Sequence, residues 1–239
     1  MGFVRLPCCN GRSLSRGIII NKNIYTYIAD LSYMHRSFPT FTIFCHASTI
    51  ELEDPEYCDR WYDREKRPHD PPISDFLNPI AALDALKLEL GLTEKNLREN
   101  TITVVSSPFR CCLETSALLA HALGISSVRV HYGIGDDLEG SRKAGYDCIY
   151  GGPLYLSESE MQHSISMITD LLTPLVDIDI ERISGEPAPW TEEGSSIRMC
   201  DAIDEIRFEM TSDDEHVIVV THKEVLAAVV NRYAVRNSK

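Results

Sequence analysis

"FTIFCHAST", residues 41–49, and "VIVVTHKEV", residues 217–225, are near echoes almost the whole chain apart. Each runs through apolar and β-branched residues, the composition of a buried strand, and each delivers a histidine just where the apolar run stops. Between them, strand-like and helix-like segments alternate. "TITVVSS" (101–107) reads as a second buried strand and "SVRVHYGI" (127–134) as a third. "LNPIAALDALKLELGL" (77–92) is helical, with Ile80, Leu83, Leu86 and Leu90 on one stripe, Pro79 early and Gly91 as the stop. "CCLETSALLAHALG" (111–124) is a helix ended by Gly124. Residues 195–210 repeat apolar positions at helical spacing through Ile197, Cys200, Ile203, Ile206 and Met210, and a last helix is expected over 223–232. This alternation predicts an α/β domain with a mainly parallel central sheet and helices on both faces. The domain is placed at 41–239. Residues 1–40 form an extension of unassigned structure, in which "NIYTYIADLSYM" (23–34) fits a short strand or a helix. Two long loops are expected, at 54–72 and 140–165.

Composition narrows the function. At 239 residues, with 44% hydrophobic and 25% charged residues, the chain is ordinary for a globular protein and long enough to bury a core. No apolar run approaches the roughly 20 residues of a membrane span, and "GIII" (17–20) is too short for a signal peptide. A cytoplasmic protein with no membrane partner is the expectation. The net charge of -13 argues against a nucleic-acid partner and means that an anionic substrate must be captured by local positive charge. Of eight cysteines, two pairs are directly adjacent and none forms C-x-x-C, so zinc-site spacing is absent and buried free thiols are expected, with no metal and no cofactor.

In parallel sheets, ligands bind beyond the carboxyl ends of the strands. His46, the Ser106-Ser107-Pro108 turn, the loop from Gly133 to Asp137 and His222 all fall at such ends. A single strand-end histidine more often caps or fills a core. Four features converging on one edge mark a site.

These residues carry a resemblance. The order strand-His, strand-Ser-Ser-Pro-helix, strand-Gly-x-x-acid and strand-Thr-His is similar to that of the histidine phosphatase superfamily, which includes the phosphoglycerate mutases. The similarity spans about residues 40–235. "DPPISDFLNPIAALDAL" (70–86) looks like the family's Asp-x-Pro-Leu-Thr segment and following helix. "SSPFRCCLETS" (106–116) resembles its Ser-Ser-Pro-x-x-Arg-x-x-Gln-Thr-Ala signature, and "VTHKEV" (220–225) its second histidine motif. The resemblance implies a three-layer, phosphoglycerate mutase-like sandwich and phosphoryl transfer through a phosphohistidine. It makes His46 the nucleophile, His222 a phosphate-binding histidine and Asp136 the proton donor, with the adjacent Asp137 an open alternative. Arg110, Ser48 and Thr221 would contact the substrate, a phosphorylated small molecule or phosphoprotein.

The departures bear on activity. Where the family reads Arg-His-Gly-Glu-Arg, this chain has Cys45-His46-Ala47-Ser48-Thr49, and Cys111 stands where the second motif calls for arginine. Arg110 lies one residue early, about 100° around a helix. Lys223 adds one charge beside His222. An arginine that balances transition-state charge is worth on the order of 10³-fold or more, so the expectation is a weak or specialised phosphatase. The alternative is a catalytically degenerate domain that binds a protein partner. "CDRWYDR" (58–64) has the Cys-x5-Arg spacing of cysteine phosphatases but carries Trp61 and Tyr62 where such a loop needs small residues.

Overall fold

The structure, a computed structural model of the chain, describes residues 20–21, 24–27, 40–50, 67, 69–74, 76–89, 101–136, 155–187, 195–209 and 215–236. Leu90, Gly91, Asp137, Met210 and the Cys58–Arg64 stretch lie outside the described residues, as does the side chain of Leu86.

The elements run β1 (Ile20–Asn21), β2 (Ile24–Tyr27), β3 (Thr40–Cys45), α1 (Leu77–Glu89), β4 (Thr101–Ser106), α2 (Arg110–Leu123), β5 (Ser127–His131), a 3₁₀ turn (Tyr132–Ile134), α3 (Glu158–Thr169), β6 (Asp179–Ser184), α4 (Ser195–Glu209), β7 (Glu215–Thr221) and α5 (Lys223–Arg236). They build a seven-stranded sheet in the order β1-β2-β3-β7-β4-β5-β6. The five strands from β3 to β6 in that order are mutually parallel, and β2 joins β3 antiparallel from within residues 1–40.

Period-two alternation sorts the buried side chains onto two faces. Phe44, Val104, Val128, Val130, Ile218 and Val220 meet Leu83 of α1, Leu113 and Leu118 of α2, and Met161 and Ile165 of α3. Their neighbours Ile43, Val105, Val217 and Val219 meet Met199, Ile203 and Ile206 of α4 and Val225, Leu226 and Val229 of α5. The result is three layers, the mainly parallel α/β architecture expected from the alternation of segments. Each fully buried aliphatic side chain contributes roughly 1.5–3 kcal/mol, which makes these two interfaces the chief stabilising term. Among the described residues, no helix is long and apolar enough to cross a membrane.

Helix ends follow local chemistry. α2 stops at Gly124, which adopts φ 69° and returns its N–H to the carbonyls of Ala120 and His121. The stretch expected as a loop over 140–165 instead contains the start of α3. Ser157 and Glu160 form a capping box there, and Met161, Ile165 and Ile168 repeat at helical spacing on the buried face. β6 was not foreseen either, because no position of this sheet-edge strand is fully buried, only Ile180, Ile183 and Ser184 are half-buried, and its run is polar. The strand expected over 127–134 ends at His131, where the backbone tightens into the 3₁₀ turn. His131 accepts a hydrogen bond from the Gly133 N–H, and a Cβ on Gly133 would lie 2.5 Å from the Ala202 Cβ of α4, so a side chain cannot be placed there. Ile197, read as part of the apolar stripe of α4, is exposed, because the buried face runs through Met199, Ala202, Ile203 and Ile206 and position 197 lies on the other side of the helix.

β3 and β7 are linked by side chains as well as by their ladder. The Thr42 hydroxyl and His216 Nε2 lie 3.1 Å apart in the buried interior. Burial lowers the His216 pKa to about 4 from an ordinary 6.5. The unfolded chain therefore binds a proton that the folded one refuses, so this residue costs nothing above pH 6.5 and destabilises the fold as the pH drops from there to about 4. The loss is ~3 kcal/mol over that window. In urea unfolding at pH 7 and pH 4.5, His216→Gln is expected to be less acid-sensitive than the natural chain; equal pH slopes would contradict this assignment.

Candidate functional site

The parallel order β3-β7-β4-β5 places four strand ends on one edge of the sheet. The ladder continues past the strands: His46 N–H donates to the Thr221 carbonyl and Ser107 N–H to the Val220 carbonyl, both at 2.9 Å. Those bonds bring the residues after β3 and β4 to either side of the end of β7. His46 and His222 consequently share one pocket, their ring centroids 5.1 Å apart and their planes 64° to each other. Phe109 packs edge-on against His222.

The orientation of each ring is fixed. Nδ1 of His46 donates to the Ala47 carbonyl at 2.7 Å, which leaves Nε2 for chemistry. Nε2 of His222 lies 3.0 Å from the Ser107 hydroxyl and 3.4 Å from the Cys112 sulfur. The neighbouring segment is held by α2. Thr115 Oγ1 accepts from the Ala47 N–H at 3.0 Å while donating to the Cys111 carbonyl at 2.7 Å. Glu114, buried, accepts from the Ile73 N–H. Asp70, also buried, takes the Arg110 N–H at the start of α2, where a carboxylate favourably meets the positive end of the helix dipole.

Two imidazoles this close cannot both carry a charge cheaply, and their surroundings separate them. Burial pulls His46 down, but the Cys111 sulfur, the Ala47 carbonyl and Asp136 outweigh it and lift its pKa to about 9. Burial, then the charge of His46 and that of Arg198, hold His222 well below 6.5. Burial keeps the Cys111 thiol well above its ordinary range, and it pushes Cys45 up to about 12. The surroundings thus bias His46 toward its charged form and His222 toward its neutral form. His46, Cys111 and His222 each present one donor atom, and these three atoms lie within 4.8 Å of one another.

Asp136 follows the 3₁₀ turn and is half-buried. It shares a hydrogen bond with Glu224 in the first turn of α5; burial and then the Asp136 charge raise the Glu224 pKa above its usual 4.5. A second carboxyl group therefore stands beside the expected proton donor. Arg198 of α4 holds this loop from beneath, donating to the carbonyls of Gly133, Gly135 and Asp136 at 2.7, 3.4 and 3.1 Å. Thr221 is buried and its hydroxyl donates to the Ile134 carbonyl at 2.6 Å, tying β7 to the same turn. Ser48 has an exposed side chain, and its carbonyl accepts from Ser74. Lys223 is exposed beside Glu224.

Arg110 is almost completely buried, and its Nε donates to the Ser164 hydroxyl of α3 at 3.3 Å. The helix thus directs position 110 toward α3 and position 111 toward His46, and the residue facing the histidines at this register is the cysteine. Glu224, Arg198 and Thr115 were not read as site residues. Glu224 had a weak signal, being two residues beyond His222 at a helix start; Arg198 lies in a helix whose relation to the sheet no local pattern reveals.

Removing the Thr115 hydroxyl at constant volume leaves the buried Ala47 N–H without its acceptor, a cost of about 1–3 kcal/mol. Thr115→Val is expected to lower unfolding free energy by that amount in urea, while Thr115→Ser retains it; equal stability of the two variants would remove this bond from the account. No protein-family model matches the chain and a search of curated proteins finds no match, so the chemistry is argued from this geometry.

Proposed function

We propose that the pocket carries out phosphoryl transfer on phosphomonoesters, the activity implied by the similarity to the histidine phosphatase superfamily. The observation that carries this reading is the pairing of His46 and His222 in one pocket with Nδ1 of His46 committed to the Ala47 carbonyl. That bond selects Nε2 as the nucleophile and aims it. In the first step the neutral form of His46, its Nε2 proton released to solvent, attacks phosphorus in line through the Nε2 lone pair, the ester P–O bond breaks, and the leaving oxygen takes a proton from the Asp136–Glu224 pair. In the second, water attacks the phosphohistidine, the P–N bond breaks, and the carboxyl pair receives the water proton. His222 and the Ser107 hydroxyl supply polar contacts to the phosphoryl oxygens.

The same pocket argues for weak or specialised turnover. Cys111 faces His46 as a neutral thiol, and a thiol neither forks two hydrogen bonds to a phosphoryl group nor balances its charge. This observation also favours the second reading, a catalytically degenerate domain that binds a protein partner. A phosphorylated small molecule or a phosphoprotein is the substrate class under the first.

Activity separates the two. The purified protein, in the presence of chelator, is expected to hydrolyse an aryl phosphate slowly, to accumulate an acid-labile phosphoryl-enzyme on rapid quench, and to lose both with His46→Ala. Turnover no faster than that variant's background would leave the binding-module reading standing. The double substitution Cys45→Arg with Cys111→Arg is expected to tighten inorganic phosphate binding on the order of tenfold or more, because each new guanidinium adds charge-assisted hydrogen bonds. Unchanged phosphate affinity by calorimetry, in a variant that unfolds cooperatively, would show that the missing arginines are not what limits the pocket.

A further inference from the structure

We infer that His46, Cys111 and His222 form a binding site for a single thiophilic divalent cation of the zinc type. Three segments far apart in sequence deliver these side chains: the end of β3, the first turn of α2 and the end of β7. Their donor atoms converge within 4.8 Å. In a tetrahedral zinc site, nitrogen and sulfur ligands lie roughly 3.3–3.6 Å apart, so side-chain rotations on the order of an ångström close this set around an ion. Binding displaces the Cys111 thiol proton and any proton on His46 Nε2 to solvent. The resulting two imidazoles and one thiolate are a borderline-soft donor set, which selects zinc or cobalt over magnesium or calcium.

A second, independent feature fits the same ligand. Metal-bound histidines characteristically donate their other ring N–H to a backbone carbonyl, and His46 Nδ1 already does so to Ala47, which leaves Nε2 as the ring's ligand atom. Cys111 and His222 are themselves buried and His46 half-buried, so the three donor atoms are largely shielded from solvent. Cysteine at position 111 then has a positive role. It replaces a cation expected from the protein by a ligand for a cation taken from solution. The ion occupies the Nε2 lone pair that the phosphohistidine route needs, so metal and nucleophile exclude one another.

The inference does not rest on the phosphatase reading, since binding is scored optically on protein that needs no turnover. Metal-free protein is titrated with Co²⁺. The expected result is saturation at one equivalent, with intense visible bands of tetrahedral cobalt and a sulfur-to-cobalt charge-transfer band, both displaced by one equivalent of Zn²⁺. Absence of these bands in the natural chain overturns the proposal without any variant being made. Cys111→Ala and His222→Gln are expected to lose the bands and weaken Zn²⁺ affinity on the order of 100-fold or more. Zn²⁺ should raise the melting temperature of the natural chain and not of Cys111→Ala. Cys200→Ser, which alters a buried thiol in α4, should keep the full signal. Loss of the bands in Cys200→Ser, or their survival in Cys111→Ala, would place the metal elsewhere and overturn the assignment.

Discussion

The site depends on the register of α2 against the ends of β3 and β7. One hydroxyl sets it: Thr115 takes the Ala47 N–H and, through its own bond to the Cys111 carbonyl, couples the strand end to the helix's first turn. With that bond in place, successive helix positions are assigned. Arg110 turns toward α3, Cys111 toward His46, and Cys112 toward His222, while Glu114 reaches back to Ile73. A helix rises 1.5 Å and turns 100° per residue, so a slip of one position would exchange a thiol for a guanidinium in the pocket. Buried carboxylates at Asp70 and Glu114 resist such a slip, because each would lose its hydrogen bond from a backbone N–H.

Electrostatics divides the pocket into unlike halves. His46 is lifted toward the charged form and His222 is held neutral, although the rings are only 5.1 Å apart. Arg198 contributes to that split from the far side of the 3₁₀ turn, where its hydrogen bonds go to carbonyls and thereby stiffen the loop that carries Asp136. Protein positive charge is thus spent on holding the loop rather than on gripping an anion. The carboxyl pair of Asp136 and Glu224 adds negative potential to the same rim. A pocket of this polarity receives cations more readily than a guanidinium-lined one would.

Much of the fold was legible in the sequence because parallel strands buried on both faces read as unbroken apolar runs, as in "TFTIFC" and "HVIVV". Placing both histidines at strand ends followed from the same pattern. The edge strand β6 escaped because its half-solvated residues carry no such run, and α3 because its start signal, Ser157 with Glu160, lay inside a stretch dominated by glycine and acidic residues. At the site, the sequence showed which residue types stood where arginines were expected, but not which way position 110 would turn. That was decided by Asp70 and Ser164, 40 and 54 residues away. Glu224 and Arg198 reach the rim only through packing between α4, α5 and the sheet, which local periodicity does not encode.

The sheet order has a consequence for how the protein is made. β7, residues 215–221, lies in the middle, between β3 and β4, and the Thr42–His216 contact spans 174 residues. Until the ribosome has added that stretch, β3 and β4 each present an unpaired, strongly apolar edge, and neither half can close on the other. The strand that completes the sheet also brings His222, so the pocket and the cooperative core arise in the same late event. Chains that stop short of residue 215 would carry two open ladders side by side, the kind of surface on which β-aggregation starts and which chaperones must shield during synthesis.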